Sequence, residues 1–343
     1  MRFSFSRRNL LIFAIAIVIA VFLSVYKLPY YIHKPGSADP LDPIVHVDGG
    51  YESSGEMHLM TVRSSVATPV QYIFAQFLPY HDIIPIEDVR PEGVTEEEYR
   101  LLQLQMMEDS QLSSKVVAYT AAGAEVEFSY NGVYAAAVVE GMPAEGHIEV
   151  GDQIVAIDNQ EVNQSSEMID IVEKKEVGED VHILLNRDGE EVETVIQVDI
   201  LDEESGRVGV GVQLVEDQDV TVHPDVEFSS GNIGGPSAGL MFALEMYDQL
   251  TEEDLTRGYS IAGTGKVNVD GKILPIGGID KKVVAADREG CEIFFAPNEE
   301  GSPTSNYALA KETAEDIQTD MKIIPVDSFE EALEYLQDLD IKE

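Results

Sequence analysis

Cysteine is almost absent: Cys291 is the single one in 343 residues. One thiol excludes a disulfide framework and leaves no cysteine cluster for a structural zinc site. Close to Ile293, Phe294 and Phe295, it reads as a small buried residue rather than a nucleophile. Basic residues are also scarce, 22 against 64 acidic ones, which gives a formal net charge of −42. Such a chain repels nucleic-acid phosphates, so no nucleic-acid partner is expected. Anionic lipid headgroups would repel it too, apart from its basic N-terminus. The acids are spread along the chain, which reads as a solvated, solubilising surface. Adaptation to a salty or alkaline exterior is the sharper alternative. No G-x-x-x-x-G-K-[ST] phosphate loop occurs, because Gly263-Thr264-Gly265-Lys266 is followed by Val267. The last of the seven histidines is His223, so the C-terminal third has none.

One long apolar run is present, from Leu10 to Leu23, and it continues after Ser24 with Val25. Arg2, Arg7 and Arg8 precede it, and Tyr26, Tyr30 and Tyr31 follow at the depth of an aromatic belt. The pattern predicts a cytoplasmic N-terminus (1–8), a single transmembrane anchor (9–28) and the bulk outside the cell. A cleaved signal peptide competes, but Gly36-Ser37-Ala38 is a distant cleavage site.

Pro and Gly in Lys34-Pro35-Gly36-Ser37-Ala38-Asp39-Pro40 predict a linker over 29–40. Short strands are expected at Ile44 to Val47 and Met57 to Val62. Thr95-Glu96-Glu97-Glu98 is a capping-box pattern opening a helix through Tyr99, Leu101, Leu102, Leu104 and Met106. That helix carries no chemistry of its own in the sequence. The region 41–114 is expected to pack with the C-terminal part in one domain.

From residue 115 to 200 short strands alternate with turns. Tyr130-Asn131-Gly132-Val133, Gly141-x-Pro143-Ala144-x-Gly146, and Gly151-Asp152-x-Ile154-x-x-Ile157 with Val162 stand in that order. On these residues the stretch resembles a PDZ domain of the bacterial protease-associated type. The resemblance implies that the Asn131-Gly132-Val133 backbone forms a loop receiving a peptide's C-terminal carboxylate, while the peptide adds to a sheet edge. A helix from Glu167 to Glu173 would wall the groove.

Gly235-Pro236-Ser237-Ala238-Gly239 fits the nucleophile-elbow pattern G-x-S-x-G, between the strand-like Val220 to Val226 and an apolar helix. A serine at a helix start has backbone N–H groups nearby that serve a cap or an oxyanion. No histidine follows Ser237, so the order Ser, acid, His is excluded. His46, His58 and His81 leave a histidine-first order open. Ser24-Val25-Tyr26-Lys27, an S-x-x-K match, lies inside the apolar run. A lysine base is the other option. Lys281 and Lys282 follow Gly277-Gly278-Ile279-Asp280 at a predicted helix start, where burial and the helix field lower a lysine pKa. Two charged surface lysines are the bland alternative.

Three runs then carry a second resemblance: Gly234-Gly235-Pro236-Ser237-Ala238-Gly239, Ala262-Gly263-Thr264-Gly265, and Gly271-Lys272-x-Leu274-Pro275-Ile276-Gly277-Gly278 with Lys282 and Ala285-Ala286. Residues 201–343 resemble the proteolytic domain of Lon-type proteases. The resemblance makes Ser237 the nucleophile, Lys282 the general base and Thr264 the hydroxyl that orients the amine. The oxyanion hole is expected around Gly235, Pro236 and Ser237, although a proline has no N–H to give.

The whole order resembles the membrane-anchored PDZ–Lon-like serine proteases of Gram-positive bacteria. The implied fold is α+β: a Lon-type α/β proteolytic domain with a β-rich PDZ domain, preceded by one N-terminal transmembrane helix. The implied function is ATP-independent cleavage of extracytoplasmic peptides or flexible protein tails, with PDZ-assisted recognition. No cofactor or metal is expected. The expected partners are peptide or protein substrates and the membrane, with a homo-oligomer left open. A PDZ scaffold with an inactive protease fold is the rival reading, and an esterase the second.

Overall fold

The computed structural model describes residues 7–91, 93–202 and 206–342. Arg2, part of the orientation argument above, lies outside them. The chain forms two compact units. One holds the described residues up to Glu125 together with those from Val222 onward, and the other is Val126–Thr221.

The apolar run is a helix over Arg7–Val25 with no buried residue. At 1.5 Å per residue it is roughly 28 Å long, which is long enough to cross a bilayer.

In the larger unit six strands form one sheet, in the order Lys322–Val326, Ile293–Pro297, Ser260–Gly263, Glu56–Val66, Tyr30–Pro40 and Asp82–Pro85. The first four are parallel to one another and the last two pairings are antiparallel. Ile293–Pro297 is buried along its whole length, as a strand covered on both faces must be. The segments near 45–47 and 56–66 therefore pair with C-terminal strands: Val45–Val47 with Val226–Phe228, and Glu56–Val66 with Ser260–Gly263.

One expectation is overturned. The linker proposed for 29–40 is strand Tyr30–Pro40, inside the main sheet. The strand breakers are absorbed by a bulge between Pro35 and Ala38. There Ser37 N–H donates to Thr61 Oγ1 (2.9 Å), and a side chain at Gly36 would strike the Thr61 backbone. Proline and glycine thus mark an irregularity within the strand rather than its absence.

The two long-range layers that matter for the site are helical. Ile279–Glu289 packs on strands Tyr30–Pro40 and Glu56–Val66, and Met60, Ala262, Val283, Ala286 and Phe294 share its core. Gly239–Leu250 is buried on nearly every side and packs against the 26-residue helix Glu96–Ala121. The capping box at Thr95 forms as the sequence indicates: Thr95 N–H donates to Glu98 Oε2 (2.7 Å) and Glu98 N–H to Thr95 Oγ1 (3.2 Å).

The smaller unit is a sheet in the order Val212–His223, Glu125–Val138, Gln153–Ile157, Asp180–Arg187 and Glu190–Gln197, with Gln160–Glu161 beside Gln153–Ile157. Helix Ser165–Val172 buries Met168 and Val172 in its core, with Val133, Ile154, Ile157, Ile183 and Leu185. The expected boundaries at 115 and 200 shift. Residues 115–121 complete the helix Glu96–Ala121, and Val212–His223 belongs to this sheet.

Candidate active site

Ser237 sits in a turn two residues before helix Gly239–Leu250. It does not cap that helix: Ala238 occupies the N-cap position, with no side-chain hydrogen bond. Gly235 has φ +94°, a backbone conformation that a side chain would strain. The turn is also held from outside. Gly235 N–H donates to Gln103 O (2.7 Å), and a Cβ on Gly234 would lie 2.8 Å from Gln103 Cβ. Ser110 Oγ donates to Pro236 O (3.0 Å), and Ser114 Oγ to Gly239 O (2.9 Å).

Thr264 follows strand Ser260–Gly263 and is fully buried. Its N–H donates to Phe295 O (3.1 Å). Its hydroxyl donates to Ser237 O (2.9 Å), which also accepts Gly265 N–H (3.0 Å). Lys282 stands one turn into helix Ile279–Glu289, and its N–H donates to Gly278 O (3.2 Å). Gly278 is the N-cap in the left-handed region at φ +72°, so Asp280 does not cap this helix.

These elements bring Ser237, Lys282 and Thr264 together. Lys282 Nζ lies 2.7 Å from Ser237 Oγ and 2.8 Å from Thr264 Oγ1. Lys282 is 3% exposed, and burial pulls its amine from 10.5 down to about 7. The protons can be assigned from the partners. A carbonyl only accepts, so the Thr264 hydroxyl proton goes to Ser237 O. Thr264 Oγ1 must therefore accept from Lys282. A neutral amine that donates there still has its lone pair to receive the Ser237 hydroxyl proton.

Lys281 points into a different environment. Its Nζ is 2.9 Å from Asp280 Oδ2 and 2.5 Å from Asp82 Oδ2. Burial pulls this amine down, but Asp82 and Asp280 outweigh it and leave it above its ordinary value.

The expected oxyanion group needs correction. Gly235 N–H is already taken by Gln103 O, and Pro236 has none. Ser237 N–H and Ala238 N–H make no backbone hydrogen bond among the described residues, so they are the donors the turn leaves open. No histidine approaches Ser237 within hydrogen-bonding distance among the described residues. His58 is buried beside Glu56, His46 is exposed, and His81 Nδ1 is 2.8 Å from Pro79 O. No group of three or more His, Cys, Asp or Glu among the described residues is placed to hold a metal ion.

Asn131, Gly132 and Val133 lie within strand Glu125–Val138, not in a loop. Val133 is buried and pairs with Ile154. Asn131 Nδ2 donates to Asp219 Oδ2 (3.0 Å), and Gln153 Nε2 to Asn131 O (3.2 Å). Gly132, at φ +147°, has the Gln153 amide where a Cβ would be. The sequence also left Gln103, Ser110 and Ser114 unremarked. Their only local signal is two serines one turn apart, at 110 and 114, in an otherwise ordinary helix.

A sequence model of the Lon protease (S16) C-terminal proteolytic domain matches residues 191–338, and a PDZ domain model matches residues 120–198. Residues 191–338 are thus similar to a Lon-type proteolytic domain and residues 120–198 to a PDZ domain. Among curated relatives, the peroxisomal Lon protease homolog 2 of Caenorhabditis elegans is 32% identical over 134 residues, which is 39% of this chain and 16% of that protein. The Lon protease of Metamycoplasma arthritidis is 28% identical over 126 residues, 37% of this chain and 14% of that protein. This chain thus matches about a seventh of the length of these relatives. The PDZ domain of an SdrC-like protein from Listeria monocytogenes is 32% identical, covers 25% of this chain and 90% of its own, and has a TM-score of 0.24. The Lon-type domain supports a serine peptidase of that class.

Proposed function

We propose that this protein is an ATP-independent serine endopeptidase working through a Ser237–Lys282 dyad. The observation that carries the reading is a buried lysine, poised near neutrality, with its amine 2.7 Å from the Ser237 hydroxyl. Neutral Lys282 takes the hydroxyl proton as Ser237 Oγ attacks the scissile carbonyl. The oxyanion forms where Ser237 N–H and Ala238 N–H receive it, aided by the positive end of helix Gly239–Leu250. Lys282 then returns the proton to the leaving amine. In the second half-reaction it takes a proton from water as the hydroxide attacks the acyl ester, then hands that proton to Ser237 Oγ as the acid leaves, which restores the serine hydroxyl and the neutral amine. Thr264 holds the amine in line throughout.

The proposal extends to setting. The apolar helix Arg7–Val25 anchors the chain, with Arg7 and Arg8 on the cytoplasmic side and the catalytic bulk outside. No phosphate loop is present to couple ATP to unfolding, so the substrates are peptides or flexible tails of membrane and secreted proteins. The PDZ unit recognises them by strand addition, with Asn131, Gly132 and Val133 as its candidate contacts.

The test is a serine-reactive fluorophosphonate probe together with a peptide-cleavage assay on the full chain in detergent. Ser237 is the labelled residue, Ser237→Ala removes both signals, and kcat climbs as pH rises through about 7, where Lys282 loses its proton. Cleavage surviving in Ser237→Ala, or labelling at another serine, overturns the dyad, whereas a parent chain that neither labels nor cleaves favours the scaffold reading.

A further inference from the structure

Charged residues make up 25% of the chain, yet none occurs from Ser64 to His81. Eighteen consecutive positions without Asp, Glu, Lys or Arg are out of keeping with a surface carrying a net charge of −42. The stretch is nevertheless on the surface. It holds the short helix Pro69–Ala75 and the turn after it, and four of its large apolar side chains are open: Ile73 54%, Phe74 61%, Phe77 78% and Leu78 46% exposed. A cluster of this kind on a water-facing surface marks a contact with something apolar.

The position of the cluster selects what it contacts. The candidate span ends at Val25, and three residues later Leu28 N–H donates to Ala67 O (2.8 Å). Thr68, the next residue, caps the short helix by accepting Gln71 N–H and the helix begins at Pro69. Ile32, Ala67 and Ala75 are buried together, with Leu28, Tyr30, Tyr72 and Ile83 packed against them. Tyr30 and Tyr72 are in ring contact at 5.1 Å. Helix Pro69–Ala75 also packs against helix Arg7–Val25. The open side chains are therefore fixed to the point where the chain leaves the proposed span.

We infer that the surface formed by Ile73, Phe74, Phe77 and Leu78 docks into the outer interface of the bilayer, as a second contact beside the transmembrane helix. This rests on the reading of Arg7–Val25 as an anchor. The chemistry fits a lipid interface. Aromatic and aliphatic side chains enter the headgroup and upper acyl region, polar Gln71 and Gln76 stay at headgroup level, and no charge has to be desolvated. Apolar insertion does not depend on basic residues, which suits a chain that anionic headgroups repel. A two-point contact would fix the tilt of the proteolytic unit against the membrane.

The chain has no tryptophan, so any introduced one is a unique reporter. Phe77→Trp and Phe22→Trp, each in the full chain, are reconstituted into phosphatidylcholine vesicles with and without dibrominated acyl chains. Brominated lipid is expected to cut Phe77→Trp emission about two-fold, the behaviour of an aromatic seated at the interface. Phe22→Trp reports the span separately. Quenching at Phe22→Trp without quenching at Phe77→Trp overturns the docking surface and leaves the anchor standing. Quenching at Phe77→Trp alone removes the anchor on which the second contact rests, and overturns the proposal together with that reading. Emission of Phe77→Trp that ignores brominated lipid and shifts blue with protein concentration assigns the patch to a second protein and overturns the proposal.

Discussion

Lys281 and Lys282 are neighbours in sequence and almost equally buried, at 1% and 3% exposure, yet they face opposite chemistries. Lys281 turns to two carboxylates, Asp280 and Asp82, the latter on strand Asp82–Pro85 at the edge of the main sheet. Lys282 turns to two hydroxyls, Ser237 and Thr264. Burial disfavours the charged form of both amines. Carboxylates override it at Lys281, whereas hydroxyls cannot, and Lys282 falls to about 7. His33 registers the result: burial lowers its pKa, the Lys281 charge lowers it further, and Asp82 opposes both. Burial alone therefore does not make a lysine a base. The polar partners inside the buried space decide.

The largest test of this contrast swaps each lysine for a group that cannot lose its proton. Lys282→Arg should lower kcat by about 10²–10⁴-fold, because guanidinium is no base at any accessible pH. Lys281→Arg keeps a cation between two carboxylates and should stay within a few-fold of the parent. Equal losses in both, measured on one peptide substrate with folding checked by thermal melts, would erase the distinction. The stability linkage has opposite signs at the two sites. Lys282 binds fewer protons folded than unfolded between about 7 and 10.5, so its contribution to stability rises with pH across that window. The Lys281 pKa is raised, so its contribution is present below 10.5 and fades as pH climbs above it.

A smaller effect is expected from Asp82→Asn. Asp82 is about half exposed and Asp280 still faces Lys281, so solvent screening limits the loss to about 1 kcal/mol of stability. The informative readout is the pH midpoint of kcat. Burial sets the Lys282 value, with no charged neighbour contributing, so the midpoint should hold at about 7 while the melting temperature falls. A shifted midpoint would mean that the two lysines are coupled and that the comparison is wrong.

How much of this the sequence could show depends on range. The double glycine before Lys282 and the G-x-S-x-G turn are short patterns with local causes, and they single out the groups that meet in space. The mixed α/β character, the PDZ-like run of turns and the apolar N-terminal helix are likewise written in short windows. Contacts between distant segments are not. Pro35 and Gly36 broke the pattern of a strand that the Thr61 side chain repairs from the neighbouring strand. Gly235 looked like an oxyanion donor until Gln103, 132 positions earlier, claimed its N–H. Propensity cannot register a partner that arrives through tertiary folding.

Ser110 gives the smallest and most selective test. Its hydroxyl donates to Pro236 O, next to the nucleophile, and touches neither Ser237 Oγ nor Lys282. Ser110→Ala leaves a carbonyl without that donor, a loss of about 1 kcal/mol in stability. As a positioning residue it should act on the geometry of attack. The expected result is kcat lower by a few-fold, KM for the peptide unchanged, and the pH midpoint still at about 7, since the burial of Lys282 is untouched. A merely structural role would lower the melting temperature and leave kcat at the parent value below the melt. A moved midpoint would instead show that helix Glu96–Ala121 helps keep water from Lys282, and that the environment separating the two lysines begins on the helix behind the serine turn.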